Sequence, residues 1–138
     1  MLTAILLENF KSYRHKAKLS LAPLTVLIGA NASGKSNAIE GMRLLSWLAQ
    51  GQKLSAIQYA VQSRDRVVRG TIDDLCCERG DDFRLGAETD APKWNRLSMT
   101  LARRADGVTR ALELARFVRR EQRRERQSDS ESEGASKG

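Results

Sequence analysis

The stretch Gly29-Ala30-Asn31-Ala32-Ser33-Gly34-Lys35-Ser36 determines how the rest of this sequence is interpreted. Its pattern is Gly-x-x-x-x-Gly-Lys-Ser, and each fixed position has a physical reason. Gly29 and Gly34 have no Cβ, so the backbone can approach an anion closely, and successive N–H groups of such a turn form a concave anion site. Lys35 adds a positive charge, and the Ser36 hydroxyl is a suitable ligand for Mg²⁺. The stretch therefore predicts a phosphate-binding loop.

The residues on either side of the loop provide the context that this motif requires. Residues 24–28 are apolar, partly β-branched and bounded by Pro23 and Gly29, which predicts a buried strand. Residues 36–50 repeat large apolar side chains at helical spacing, which predicts a helix that ends near Gly51. The side chains expected to face the core are Ile39, Met42, Leu45 and Leu48. The order strand, glycine loop, helix is that of a Walker A site, in which the helix N-terminus also favours phosphate.

Two strands are predicted ahead of the loop. Residues 2–10 have strand character, with Ile5, Leu7 and Phe10 facing inward. Residues 9–15 form a polar turn, and residues 16–21 alternate apolar and polar side chains with a period of two, as in a half-exposed strand. We expect these two strands to form an antiparallel pair.

The sequence after the first helix predicts a short second helix at residues 54–62, a turn at 63–65 and a strand at 66–72. A loop at 73–82 and a weak strand at 83–88 follow. Residues 95–117 are interpreted as a hairpin, because Asp106-Gly107 is a favoured tight-turn dipeptide between two alternating segments. The competing interpretation makes residues 108–126 one helix.

Composition and charge bound the class of protein. The chain has 138 residues, about the length of one domain, and a formal net charge of +7. Cys76 and Cys77 are adjacent, which is poor geometry for a disulfide, so we expect reduced thiols in a cytoplasmic protein. No segment reaches the ~20 apolar residues of a membrane span, and the N-terminus lacks the features of a signal peptide, so no membrane contact is expected.

The basic excess is densest toward the C-terminal end, where residues 100–126 carry nine basic and four acidic side chains. These side chains could contact the phosphate backbone of DNA, or they could form a solvated helical end with internal ion pairs. The residues proposed for DNA contact are Arg116, Arg119, Arg120, Arg123 and Arg124. Residues 118–138 are first rich in Arg and then rich in Ser and Glu, and they are predicted to be a disordered tail.

Three features together resemble a known family. They are an apolar strand ending in Glu8-Asn9-Phe10-Lys11-Ser12-Tyr13, the predicted strand at residues 24–28, and the loop with Asn31 and Ser33-Gly34-Lys35-Ser36-Asn37. In these features the chain resembles the N-terminal part of the ABC-type ATPase head of SMC and RecF-like proteins and of related stand-alone bacterial AAA family ATPases. The resemblance covers residues 2–50.

The resemblance implies an α/β fold, the N-terminal lobe of an ABC-type P-loop NTPase. That lobe combines antiparallel β-strands with the phosphate-loop strand and its helix, and it is incomplete by itself. Residues 1–117 would be the N-terminal portion of the head. ATP and Mg²⁺ are the implied cofactors, and a homodimer or a complementary ATPase half is the implied protein partner.

Individual site residues also follow from the resemblance. It implies that the backbone of residues 31–35 wraps the β-phosphate, that Lys35 contacts the β/γ oxygens and that Ser36 binds Mg²⁺. Asn37 would lie beside the α-phosphate, and residues 11–14 would lie near the nucleotide. Ala32 occupies a position where many ABC heads have Gly, and a small residue still fits there.

Two features of the family are not found in this sequence. The family hydrolyses ATP with an acidic pair that ends a run of four apolar residues, and Thr71-Ile72-Asp73-Asp74 is a poor match. A Leu-Ser-Gly-Gly-type signature is also missing. We therefore expect an ATP-binding N-terminal part of a larger ATPase, linked by analogy to DNA repair or phage defence. The alternatives are a nucleotide-binding interaction module without hydrolysis and a basic DNA-binding protein.

Overall fold

The computed structural model describes residues 1–62, 67–93, 95–105 and 110–113. Within these residues five strands form one sheet in the spatial order β2-β1-β3-β4-β5, and every neighbouring pair is antiparallel. The strands are β1 (Leu2–Glu8), β2 (Ala17–Ser20), β3 (Asp82–Thr89), β4 (Arg96–Ala105) and β5 (Arg110–Glu113). The helices are α1 (Lys35–Ala49) and α2 (Ile57–Gln62), and 3₁₀ turns occur at Leu54–Ala56, Ile72–Asp74 and Cys77–Arg79.

The predicted antiparallel pair at the start of the chain is confirmed. Ile5 of β1 pairs with Leu19 of β2 on one side and with Ala87 of β3 on the other. Because β1 lies inside the sheet, four consecutive side chains from Ala4 to Leu7 are buried. In β2, at the edge, side chains alternate between half-buried and exposed, as its sequence predicts.

The segment predicted as a weak strand, residues 83–88, is the central strand β3 of the sheet. The predicted hairpin is also confirmed, because β4 and β5 pair with Ala105 opposite Arg110. The alternative of a helix over residues 108–126 is wrong at residues 110–113, which form a strand. The predicted turn Asp106-Gly107, the arginine-rich stretch and the predicted tail lie outside the described residues, as does the turn at 63–65.

The predicted helix after the loop is confirmed as α1, and Gly51 follows it with a φ of 80°. The predicted core-facing side chains are confirmed in part: Leu45 is buried, and Met42 and Leu48 pack against the core. Ile39 is exposed instead, and the buried residues also include Ala38, Gly41 and Leu44. A Cβ on Gly41 would lie 2.7 Å from Leu7 Cδ2, so α1 approaches β1 through its small residues. A search for large apolar residues therefore misses the closest contact between α1 and the sheet.

The predicted buried strand at residues 24–28 is wrong. The structure assigns no strand there, and Leu24, Val26 and Ile28 are 82%, 69% and 91% exposed. The chain leaves the sheet after the N–H of Leu21 donates to the carbonyl of Thr3 at 2.8 Å. A strand needs a neighbour for its N–H and C=O groups, and no strand of the described part of the chain pairs with this segment.

The predicted strand at residues 66–72 is also wrong over its described residues. Residues 67–70 are a bend, and Ile72–Asp74 is a 3₁₀ turn. Asp74 accepts hydrogen bonds from the N–H and the hydroxyl of Thr71, which caps this turn. The predicted second helix is confirmed as the 3₁₀ turn Leu54–Ala56 followed by α2.

The core lies between the sheet and α1, and the buried side chain of Phe10 is at its centre. The ring of Phe10 packs against that of Phe83 with centroids 5.4 Å apart. The backbone of the same turn makes two further hydrogen bonds. The N–H of Lys11 donates to the carbonyl of Leu75 at 2.9 Å, and the N–H of Cys77 donates to the carbonyl of Asn9 at 2.8 Å. The turn after β1 is therefore fixed by packing and by hydrogen bonds.

Truncating isoleucine to alanine at an exposed site and at a buried site tests the exposed position of residues 24–28. Ile28→Ala should change the free energy of unfolding by no more than about 0.5 kcal/mol, because its side chain is already in water. Ile5→Ala, in the buried strand β1, should cost about 2–5 kcal/mol. Urea denaturation of the two variants measures both values. Equal losses at the two sites would contradict the exposed position of residue 28.

Candidate phosphate-binding site

The loop ends where α1 begins, and the glycine at that junction has an unusual conformation. Gly34 has φ 91° and ψ 0°, a left-handed conformation that favours glycine. Its carbonyl accepts the first helical hydrogen bond, from the N–H of Ala38 at 2.9 Å. The first N–H groups of a helix have no intrahelical partner, and with the helix dipole they make this end of α1 attractive to an anion.

The side chain of Lys35 folds back into the loop that precedes it. Its Nζ donates to the carbonyls of Gly29 and Ala30 at 2.7 and 2.6 Å and to Ser33 Oγ at 3.1 Å. An ammonium group has three donors, so these contacts use all of them. The positive charge is therefore held at the centre of the loop.

The turn after β1 supports the other end of the loop. Asn37 Nδ2 donates to Ser12 Oγ at 2.8 Å, and the Tyr13 hydroxyl donates to the carbonyl of Gly34 at 3.2 Å. Burial raises the pKa of Tyr13, so the hydroxyl remains a donor at neutral pH. A Cβ on Gly34 would lie 3.0 Å from Ser12 Oγ. The turn and the loop are therefore in close contact.

The loop and the start of α1 line a cavity of about 340 Å³. The residues around it are Asn31, Ala32, Ser33, Gly34, Lys35, Ser36, Asn37 and Arg69. Seven of the nine predicted site residues thus lie together, and the remaining two, Gly29 and Ala30, contact Lys35 through their carbonyls. Ser36 lies in the first turn of α1 at the cavity, and the residue is exposed.

Two residues of the turn that were expected near the nucleotide have other partners. Neither Lys11 nor Arg14 lines the cavity. Lys11 forms an ion pair with Glu40, and Arg14 pairs with Glu78 at 3.1 Å. Arg69, which the sequence did not identify, lines the cavity instead. It lies in a bend far from the loop in sequence, and no pattern in the sequence points to it.

A buried carboxylate lies beside this cavity. Glu40 of α1 is 5% exposed, and it pairs with Lys11 and with Arg69, the latter at 2.5 Å from Nε to Oε1. Lys11 Nζ also donates to the carbonyl of Arg69 at 2.7 Å. Burial acts to raise the pKa of Glu40, but hydrogen bonds from Lys11 and Arg69 outweigh it and lower the pKa below its ordinary value. Glu40 is therefore ionised at neutral pH.

The acidic pair Asp73 and Asp74 lies in a capped 3₁₀ turn rather than at the end of a strand. Asp73 forms an ion pair with Arg103 at 3.0 Å, and Asp74 caps the turn.

Burial raises the pKa of the nearby Cys76 thiol to about 11. Among the described residues there is no group of three or more His, Cys, Asp or Glu side chains suited to a metal, and no helix there is long and apolar enough to cross a membrane.

Known proteins share sequence with part of this chain. Residues 1–62 match the family described as the AAA ATPase domain. A DNA replication and repair protein RecF from Cyanothece sp. is 45% identical over 47 residues, which are 34% of this chain and 12% of that protein. The structural maintenance of chromosomes protein 1 from Arabidopsis thaliana is 36% identical over 69 residues, 46% of this chain and 6% of that protein.

A second RecF protein, from Picosynechococcus sp., is 37% identical over 68 residues, which are 41% of this chain and 18% of that protein. The chain thus spans less than a fifth of the length of each of these relatives. The resemblance predicted from the sequence is confirmed: the N-terminal part of the chain is similar to the N-terminal part of SMC/RecF-like ATPases.

The backbone of Ala32 allows a test of the loop's conformation. Ala32 has a φ of 62°, in the left-handed region that disfavours residues with a Cβ. Ala32→Gly should therefore raise the free energy of unfolding by up to about 1 kcal/mol. Ala30→Gly is the matched control, because Ala30 has no positive φ and should lose about 0.5–1 kcal/mol. Equal destabilisation of both variants, measured by urea denaturation, would contradict this loop conformation.

Proposed function

We propose that this chain binds Mg-ATP through the loop at residues 29–37 and is the N-terminal part of an SMC/RecF-like ATPase. The observation that carries the proposal is one cavity, which is lined by the loop, the first turn of α1 and Arg69. Two cationic side chains, Lys35 and Arg69, and the N-terminus of a helix meet at this cavity. This combination fits a polyphosphate better than it fits a neutral ligand.

Each loop residue has a role in the proposal. The backbone of residues 31–35 surrounds the β-phosphate, and Lys35 exchanges its carbonyl partners for phosphate oxygens. Asn37 lies beside the α-phosphate, and Ser36 provides a hydroxyl ligand for Mg²⁺. The metal ion would neutralise charge on the phosphates. These residues present N–H donors together with the Ser36 hydroxyl, which suits the binding of a metal–nucleotide complex.

Hydrolysis requires groups beyond this loop. Phosphoryl transfer needs an acidic side chain that holds the metal ion and a residue that orients water. Asp73 and Asp74 already serve as an ion-pair partner and a helical cap. We propose that these catalytic groups come from a complementary ATPase half, and that the chain by itself binds ATP without turning it over.

The exposed residues around 24–28 are the proposed contact surface for that complementary half. We call them the open apolar face, and they are Leu24, Val26, Leu27, Ile28 and Ile39. A cavity of about 640 Å³ lies along this face and is also lined by Leu19, Leu21 and Met42. Apolar patches of this kind mark interaction sites. Because the relatives are much longer than this chain, we propose that their additional segments correspond to the partner that pairs with residues 24–28.

Contact with DNA is a separate part of the proposal. The printed names of the relatives concern DNA replication and repair and chromosome maintenance. We propose that this chain acts in the cytoplasm in a DNA-linked process and contacts DNA through Arg116, Arg119, Arg120, Arg123 and Arg124. Filter binding of duplex DNA at increasing salt tests this, because phosphate contacts predict a steep loss of affinity. Binding that is insensitive to salt would contradict it.

Titration with Mg-ATP tests the central part of the proposal. Lys35→Ala should weaken binding by at least about tenfold, because it removes charge-assisted hydrogen bonds to phosphate. Isothermal titration calorimetry on the full chain measures the change. Wild-type affinity no better than that of Lys35→Ala would contradict nucleotide binding by this loop.

Substitution of Ser36 tests whether its hydroxyl binds the metal ion. Ser36→Ala should weaken binding in the presence of Mg²⁺ and have little effect when the metal is chelated by EDTA. Phosphate release from the same preparations separates binding from hydrolysis. We expect the isolated wild-type chain to release phosphate no faster than Lys35→Ala, and turnover above that level would contradict the need for a complementary half.

A further inference from the structure

Glu40 is a buried charge that the phosphate loop itself does not use. It is the buried acidic side chain of the described part of the chain, and it lies on α1 one turn beyond the residues that line the cavity. Burial of a carboxylate is costly unless cations and hydrogen bonds compensate for it. Lys11 and Arg69 provide both.

The two cations on Glu40 have different environments. The Lys11 side chain is 11% exposed, and its Nζ also donates to the carbonyl of Arg69. It therefore ties the backbone of the bend at residue 69 to the turn after β1. The Arg69 side chain is 64% exposed and lines the phosphate cavity. Glu40 accepts a hydrogen bond from the Nε of Arg69. The guanidinium of Arg69 has four further N–H donors on its Nη atoms.

We propose that Glu40 is a positioning residue that holds Arg69 at the phosphate cavity, so that binding of a nucleoside polyphosphate depends on a carboxylate that does not touch the ligand. An exposed arginine without a partner samples many rotamers, and restricting it before binding reduces the entropy lost when the ligand arrives. The proposal rests on nucleotide binding by the loop, as argued above.

Charge balance explains why a carboxylate can serve this purpose beside an anion site. A lone carboxylate near the cavity would repel phosphate. Here Lys11 neutralises Glu40, and the cluster of one carboxylate and two cations retains a net positive charge. That remaining charge belongs to Arg69, the member of the cluster at the cavity. Glu40 thus fixes the position of a cation without cancelling its effect on phosphate.

A double-mutant cycle with Mg-ATP, measured by calorimetry on the full chain, tests the proposal. Arg69→Ala should weaken binding about tenfold, as expected for the loss of a charge-assisted contact. Glu40→Gln should cause most of the same loss in the wild-type background. In the Arg69→Ala background, Glu40→Gln should weaken binding by less than about twofold, because its effect passes through Arg69. Equal losses in both backgrounds, or no loss from Glu40→Gln in the wild type, would overturn the proposal.

A second set of variants separates positioning from folding. Glu40→Gln leaves Lys11 buried without its carboxylate, so the pair Glu40→Gln with Lys11→Met removes both buried charges and keeps Arg69. This double variant should fold and should bind Mg-ATP as weakly as Arg69→Ala, and wild-type affinity for it would overturn the proposal. Arg43→Ala, an exposed arginine on the same helix that does not line the cavity, should keep the wild-type affinity within about twofold; a loss as large as that of Arg69→Ala would overturn it.

Lys35→Ala distinguishes failure of this proposal from failure of the proposed function. If the wild type binds Mg-ATP more tightly than Lys35→Ala does, and Glu40→Gln and Arg69→Ala both keep wild-type affinity, then only the role of Glu40 is overturned. Wild-type binding no tighter than that of Lys35→Ala overturns nucleotide binding by the loop and the role of Glu40 together.

Discussion

The buried ring of Phe10 is the contact on which the geometry of the phosphate loop depends. Phe10 packs against Phe83 of the central strand and against α1 at Gly41, where a Cβ would lie 3.4 Å from the ring. The residues that follow it then support the loop: Ser12 bonds to the side chain of Asn37, and Tyr13 bonds to the carbonyl of Gly34. The sheet, the helix and the loop are thus fixed to one another through a single turn of the chain. Truncation of this ring would disturb the phosphate site without changing any of its ligands.

Two exposed surfaces of the described structure differ in chemistry: the cavity at residues 31–37 and the open apolar face. The cavity at residues 31–37 is polar, and Lys35 and Arg69 make it cationic. The open apolar face is exposed although its sequence has the pattern of a buried strand. In the proposed function the first surface receives a nucleotide and the second receives protein. Helix α1 connects them, because its first turn lines the cavity and Ile39 belongs to the apolar face.

The parts of the fold that the sequence predicted are those with a local cause. The loop, α1, the first strand pair and the hairpin each depend on glycine positions or on a clear periodicity. The strand at residues 24–28 was wrong because a strand also needs a neighbour, which the described chain does not provide. The face of α1 was predicted only in part, because Leu45 is buried as expected but the closest contact with the sheet is at Gly41, which has no side chain to reveal it. Arg69 was missed because only the tertiary fold brings it to the loop.

Hydrogen–deuterium exchange of the full chain, with and without Mg-ATP, tests the central claim most directly. Binding at the loop should slow exchange of the amides in residues 29–37, because their N–H groups would then bond to phosphate oxygens. The strands β3 and β4 should change little. Protection confined to other parts of the chain, with exchange at residues 29–37 unchanged, would contradict the account of this loop as a nucleotide site.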